Sequence, residues 1–130
     1  MNRLFFVILI SAFLCSCQES LTERCTREAK EYTDKNCPQK IGKELILDSV
    51  TFTATTNTMG YHYTATGSLD NMEMMNANSK KFRELMNHEI RNSTNLKQYK
   101  DAGFSFEYVY TSEKNKNTLL VLRFEEKDYK

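Results

Sequence analysis

Cysteine, histidine and methionine are the residues of this 130-residue sequence whose types and spacing could do chemistry. His88 precedes Glu89, but position 92 holds Asn92 where a zinc-protease motif has its second histidine. His62 lies in a strand-like pattern, so both histidines are expected on the surface. No serine or cysteine has a nucleophile motif around it, and no glycine-rich loop follows a strand pattern to hold phosphate. The sequence therefore predicts no catalytic residue, no cofactor and no enzyme.

Three methionines stand close together in a polar segment, at Met72, Met74 and Met75. Thioether sulfur is a soft ligand suited to Cu(I), so a Met-rich copper-binding protein is one interpretation. Methionine is also an adaptable apolar filler, and capping the end of a core is the interpretation we favour. We expect no other metal site.

The first 17 residues have the pattern of an export signal that ends at a thiol. Met1 to Arg3 is basic, and Leu4 to Leu14 is apolar except for Ser11. This run is shorter than the about 20 residues that span a bilayer, and a small residue follows it, which is typical of a secretory signal. Leu14-Cys15-Ser16-Cys17 resembles the lipobox of bacterial lipoproteins, although Cys15 stands where Ala, Ser or Thr is usual.

The lipobox resemblance implies a signal peptide of residues 1–16, cleavage before Cys17, and acyl chains on Cys17, palmitate among them. Two acyl chains are generally enough for stable anchoring, at about 0.8 kcal/mol per buried methylene. Gln18 replaces the Asp that tends to retain enteric lipoproteins at the inner membrane, which favours the outer membrane. The alternative is a plain secretory signal that leaves a free soluble protein.

Cleavage and lipidation would leave two of the four cysteines, Cys25 and Cys37. An even pair in an exported protein predicts a disulfide, which would stabilise a short loop by roughly 3 kcal/mol. Two free thiols, or half of a metal site, are the alternatives. The spacing does not match a Cys-x-x-Cys redox or zinc motif.

Composition restricts the mature chain to one folded domain without an affinity for nucleic acid. Arg3 is the only charged residue of residues 1–16, so the remainder carries 17 basic and 17 acidic residues. Balanced charge lacks the electrostatic footprint of a nucleic-acid-binding protein. We assign residues 17–36 to a lipid-anchored tether with an N-terminal helix, and residues 37–130 to the domain.

Periodicity predicts two helices and two hairpins. Ser20 or Thr22 can cap a helix over 23–35, which Pro38 ends, and Phe82, Leu85, Met86 and Ile90 form the apolar stripe of a central helix. Alternating residues predict strands at 45–55, 58–66, 104–111 and 118–125, separated by a polar connector at 67–78. Residues 125–130 read as a charged tail. The strand order is left open.

These elements predict an α+β fold of two layers. Its four-stranded antiparallel sheet, made of two β-hairpins, would pack on the central helix, and the N-terminal helix would add to that layer. Aromatic residues at 61, 63, 104, 106, 108 and 110 would face the helices, with Leu120, Leu122 and Phe124. Leu119 and Val121 would face away.

The opposite face of the sheet is the candidate binding face. It would carry the polar residues Thr51, Thr53, His62, Thr64, Glu107 and Arg123, together with Val109 and Val121. With no catalytic set, the favoured function is a lipid-anchored, non-enzymatic module of the cell envelope that binds an envelope protein or glycan or assists an assembly. The alternative is a small envelope enzyme or enzyme inhibitor that uses this open face.

Two stretches of the predicted domain also resemble known proteins. They are 37–64, with Cys37-Pro38 and Tyr61-His62-Tyr63-Thr64, and 96–110, with Ala102-Gly103-Phe104. They resemble a group of small exported bacterial proteins built as hairpin, helix, hairpin. The resemblance implies the fold already predicted and no catalytic residues.

Overall fold

A computed structural model describes residues 19–130, so the leader and the predicted lipid-bearing Cys17 lie outside the described residues. The strands are β1 Gln39–Lys40, β2 Leu45–Thr53, β3 Thr58–Ala65, β4 Ser105–Ser112 and β5 Thr118–Phe124. The helices are α1 Leu21–Asn36, α2 Met72–Ala77, α3 Ser79–Asn92, α4 Lys97–Asp101 and α5 Glu126–Tyr129, with a 3₁₀ turn at Gly67–Leu69. Within residues 19–130, no helix has the length and apolar character needed to cross a bilayer.

The α+β class is confirmed, but the predicted four-stranded antiparallel sheet is wrong in two respects. The sheet has five strands in the order β1-β2-β3-β4-β5, and its central pair, β3 and β4, is parallel. A parallel pair needs a long crossover, and the segment carrying α2, α3 and α4 supplies it. The additional strand forms because Gln39 and Lys40 pair with Leu47 and Ile46 of β2.

One face of the sheet carries the helices and the core. Helix α1 packs on β2, and α2 and α3 pack near β5. The largest fully buried side chains are Phe106, Phe124 and Ile90. Cys25 and Ala29 of α1 belong to the same core cluster, so α1 is part of the domain.

Three segments differ from the sequence expectation in how they pack. The connector at 67–78 contains helix α2, whose Met75 forms a second small cluster with Ala65 and Leu119. Leu119 is therefore buried, against the prediction that it faces away. The expected tail folds as α5, because the Tyr129 hydroxyl donates a hydrogen bond to the Phe104 carbonyl at 2.7 Å.

Helix α1 is tied to the sheet at its side and capped at its start. The Ser20 side chain accepts from the Glu23 N–H at 3.2 Å, and the Glu23 carboxylate accepts in return from the Ser20 N–H, which confirms Ser20 as the cap. The Thr33 hydroxyl donates to the Val50 carbonyl and accepts from the Val50 N–H, both at 2.9 Å. Thr33 thereby provides hydrogen-bond partners for the backbone groups of Val50 at the outer edge of β2, beyond the end of β1.

The predicted Cys25–Cys37 disulfide is wrong, because both residues are free thiols in the structure. Cys25 lies in the second turn of α1, and Cys37 caps its far end. Twelve residues of helix separate them by about 18 Å at 1.5 Å per residue. Cysteines whose Cα atoms are more than about 7 Å apart cannot be bridged without moving the backbone. Of the alternatives, the pair of free thiols is the one that the structure contains.

Thr33→Val should destabilise the domain by about 1–3 kcal/mol, because it leaves the buried edge groups of Val50 without a partner. Urea unfolding followed by circular dichroism measures the change. Thr26→Val is the matched control, since that exposed hydroxyl bonds only to the Thr22 carbonyl within α1. Equal stability of the two variants would contradict the bridging role of Thr33.

Alkylation should show two independent thiols of unequal reactivity. Burial raises the pKa of both the Cys25 and the Cys37 thiol, and Cys25 is only 1% exposed. Iodoacetamide should therefore label Cys37 first in the folded protein, and both after unfolding, because the thiolate is the nucleophile. Peptide mass spectrometry assigns the label. A need for prior reduction before either residue reacts would restore the disulfide.

Candidate functional site

The polar residues predicted as a binding face do lie together on the sheet face opposite the helices, where their side chains mostly bond to one another. Thr51 Oγ1 and His62 Nε2 are 3.1 Å apart. The Thr64 hydroxyl donates to the Asp48 carboxylate at 2.6 Å. Across the strands, Arg123 Nη1 donates to Glu107 Oε2 at 3.2 Å, and Thr53 stays exposed at the end of β2.

The backbone of β3 is shaped to allow this pairing. Gly60 lies between the partners, and a Cβ there would meet Thr51 Oγ1 at 2.5 Å and His62 Nε2 at 3.1 Å. Most donors and acceptors of the face are thus already used within the protein. A binding role for this face, and the enzyme or inhibitor interpretation attached to it, stay predictions.

The helix-covered face carries a second constellation, four tyrosines in the middle of the sheet. The parallel register places Tyr61 beside Tyr108 and Tyr63 beside Tyr110. The first pair stacks with ring centroids 4.9 Å apart, and the second with centroids 5.2 Å apart. Because α1 covers β2 and α3 lies near β5, a groove lies between the two helices above these strands. Tyr61, Tyr63 and Tyr110 line it, whereas Tyr108 is buried in the core beside them.

The end of this groove beside α3 is an apolar cavity of about 180 Å³. Leu85 stands at its rim with 55% of its surface exposed, although its helical spacing predicts an inward position. Almost all of the cavity wall is hydrocarbon. The lining residues are Leu45, Leu69, Met75, Phe82, Leu85, Met86 and Tyr110.

The end beside α1 is a larger cavity of about 370 Å³, which we call the tyrosine cavity. Tyr32 and Tyr61, together with Tyr63 and Tyr99, surround an apolar base, and Glu28 of α1 contributes a carboxylate. The base consists of Cys25, Ala29, Leu47, Val50, Met59 and Leu96, with Asn95 beside them. Since Tyr63 lines this cavity and its stacking partner Tyr110 lines the apolar one, the two cavities adjoin.

The four tyrosines in the middle of the sheet are neutral phenols. Burial raises the pKa of Tyr61, Tyr63 and Tyr108, and it raises the pKa of Tyr110 to about 12. None of these four hydroxyls has a hydrogen-bond partner within the described part of the chain, whereas the Tyr32 hydroxyl donates to Gln39 at 3.0 Å. Polar groups of this kind need partners when they are desolvated, so a bound ligand would have to supply them.

The methionines and histidine considered for metal chemistry differ in burial. Met75 is buried in the second cluster, Met72 is exposed and Met74 is half-buried, and a copper site at these three residues stays a prediction. His88 is exposed on α3. Among residues 19–130, no three His, Cys, Asp or Glu side chains lie close enough together to hold a metal ion.

Sequence periodicity predicted correctly that the four tyrosines lie beneath the helices, but it did not predict the cavities beside them. A usable signal was the choice of Tyr over Phe at four core-facing positions, since a buried phenol requires a partner or an opening. Glu28, Tyr32 and Tyr99 had no such signal, because their approach to the sheet depends on how α1 and α4 pack.

Comparison with solved structures shows that the fold recurs in two other proteins. A Pseudomonas aeruginosa protein, provisionally described as secreted, superposes with a TM-score of 0.72 at 19% identity, covering 87% of this chain and all of the other. A pilotin of the type 2 secretion system of Vibrio vulnificus superposes with a TM-score of 0.63 at 9% identity, covering 85% of this chain and 92% of the other. At these identities the similarity concerns the fold alone.

Comparisons of the sequence itself give one match. No curated protein matches the chain. A family model matches residues 20–120, which run from the cap of α1 into β5 and include both sides of the groove. The chain therefore belongs to the family described as domain of unknown function DUF8479.

Proposed function

We propose that this protein is a lipid-anchored, non-enzymatic module of the cell envelope that binds an apolar segment of another envelope protein in the groove between α1 and α3. The observation that carries the proposal is the pair of adjoining cavities, open beside an exposed Leu85. A lipobox-like Leu14-Cys15-Ser16-Cys17 supports the anchor. The fold shared with a secretion-system pilotin supports an assembly role, with a secretion-system component as the class of partner.

The dimensions of the groove favour a protein segment over a small substrate. Small-molecule sites usually enclose about 300–1,000 Å³ in one pocket, a range that the tyrosine cavity reaches and the apolar cavity does not, so it is the division of the groove into two cavities that favours a protein segment. Here the volume is divided into about 180 Å³ and about 370 Å³ on either side of the Tyr63–Tyr110 pair. A segment that presents one side chain to each cavity matches this division, and the exposed Leu85 gains burial when such a segment binds.

A photo-cross-linking amino acid in place of Leu85 should join the protein to one envelope protein in intact cells. The same amino acid in place of Val121 should not, because Val121 is similarly exposed, at 48%, but lies on strand β5 away from both cavities. Leu85→Asp should weaken the interaction by about ten-fold or more, since it puts a charge against hydrocarbon, while Val121→Asp should not. Cross-linking that is equal at both positions would reject the groove.

The anchor is tested by metabolic labelling with palmitate. Cys17→Ala should lose the label, because the acceptor sulfur is gone, and Cys15→Ser should keep it, because serine is usual in that slot. Intact-mass analysis of the labelled protein should show an acylated chain that begins at residue 17. Labelling of the Cys17→Ala form, or a product that retains residues 1–16, would contradict the lipid anchor.

A further inference from the structure

The tyrosine cavity has the composition of a site for a positive charge. We propose that it binds a cationic side chain, arginine or lysine, of the segment that occupies the groove. This inference rests on the proposed function and specifies the chemistry of the partner at that end of the groove. Three features of the cavity support it: the tyrosine ring faces, the Glu28 carboxylate and the apolar base.

Three tyrosines that line the cavity have one ring face covered by another aromatic ring, which leaves the opposite face for a ligand. Tyr61 and Tyr63 stack on the tyrosines of β4, so their other faces point toward β2. Their cross-strand neighbours there, Val50 and Leu47, line the same cavity. Tyr99 stacks on Phe104 with centroids 5.8 Å apart and lines the cavity from α4. Aromatic faces attract cations through the ring quadrupole, and several such faces around one space form the arrangement that recognises ammonium groups.

A carboxylate at the rim can pair with a cationic ligand. Glu28 lines the cavity with a side chain that is 44% exposed. The nearest cation on the same helix is Arg24, whose Nε lies 3.7 Å from the Glu28 carboxylate and whose Nη2 donates to Gln98 at 2.6 Å. Glu28 accepts no side-chain hydrogen bond within residues 19–130, so it can accept hydrogen bonds from a ligand, although Arg24 offsets part of its charge.

The base of the cavity suits a long aliphatic stem. Ala29, Leu47 and Met59 provide hydrocarbon beneath the tyrosine rings, and lysine and arginine bury their methylenes against such surfaces while the charged head remains polar. A purely apolar side chain would leave the tyrosine hydroxyls without partners, whereas a guanidinium offers five N–H donors. The apolar cavity beside α3 is lined by one tyrosine, Tyr110, and by no carboxylate, so the two ends of the groove select different side chains.

The test uses N-acetyl-arginine amide as the probe and N-acetyl-norleucine amide as its neutral counterpart. Each is titrated into the isotope-labelled full protein in a maltoside detergent, which has no cationic headgroup, at constant ionic strength. The arginine probe should shift the amide resonances of residues lining the tyrosine cavity, such as Ala29 and Leu47, and leave that of Leu85 in place. The norleucine probe should bind measurably more weakly.

Two charge variants on one helix form a matched pair. Glu28→Gln should weaken binding of the arginine probe by roughly two- to five-fold, the equivalent of an exposed charge pair. Glu31→Gln should leave it unchanged, because Glu31 pairs with Arg27 and does not line the cavity. Tyr32→Leu, at another exposed position, should weaken binding by a similar factor through the lost ring face. Unchanged unfolding curves show that the variants are folded.

The other outcomes each overturn the inference. Equal binding of both probes, no shift with the arginine probe, or equal effects of Glu28→Gln and Glu31→Gln would show that the cavity does not select a cation. Choline or ethanolamine binding more tightly than the arginine probe would identify a lipid headgroup as the ligand. If the inference fails while cross-linking at position 85 persists, the groove keeps its proposed function with a different side chain in this cavity.

Discussion

The parallel pairing of β3 with β4 is the constraint on which the rest of this structure depends. It aligns Tyr61 with Tyr108 and Tyr63 with Tyr110 in the middle of the sheet. Parallel neighbours need a long crossover, and that crossover contains α2, α3 and α4. Helix α1, which precedes the sheet, covers β2, and α3 lies toward β5. The middle strands therefore lie beneath a gap between helices, and that gap is the groove.

The chemistry of the groove comes from tyrosine at positions where phenylalanine would fill a core equally well. Phenol rings pack against one another like any aromatic side chain, but their hydroxyls need water or a ligand. On the outer face of the sheet, by contrast, most of the polar side chains already have partners. There Thr51 with His62 and Glu107 with Arg123 form internal pairs, which leaves fewer free groups for a partner. Both surfaces carry polar side chains, but the hydroxyls of the four central tyrosines lack hydrogen-bond partners within the described residues.

The edges of the sheet are protected partly by side chains, in addition to the short strand β1 that covers one end of β2. Thr33 satisfies the edge of β2 at Val50, and Arg83 donates to the Arg123 carbonyl on β5 at 2.9 Å while its guanidinium lies over the Phe124 ring. Exposed edges invite pairing with other chains, and such caps oppose it. With both edges partly closed, the groove is the surface best suited to a specific partner. An anchor at Cys17 would hold it near the membrane, because α1 begins four residues later.

The sequence alone determined the features that depend on neighbouring residues. The cap at Ser20, the four long strands, the central helix and the inward tyrosines all follow from local periodicity and turn chemistry, and the structure has them. Strand order, the parallel central pair and the inward turn of Leu119 required the tertiary structure, because they depend on how a crossover of almost 40 residues returns to the sheet. The absent disulfide has the same cause. The short spacing of Cys25 and Cys37 in the sequence suggests that they could pair. The helix between them keeps the two thiols apart, because it extends over almost all of the intervening residues.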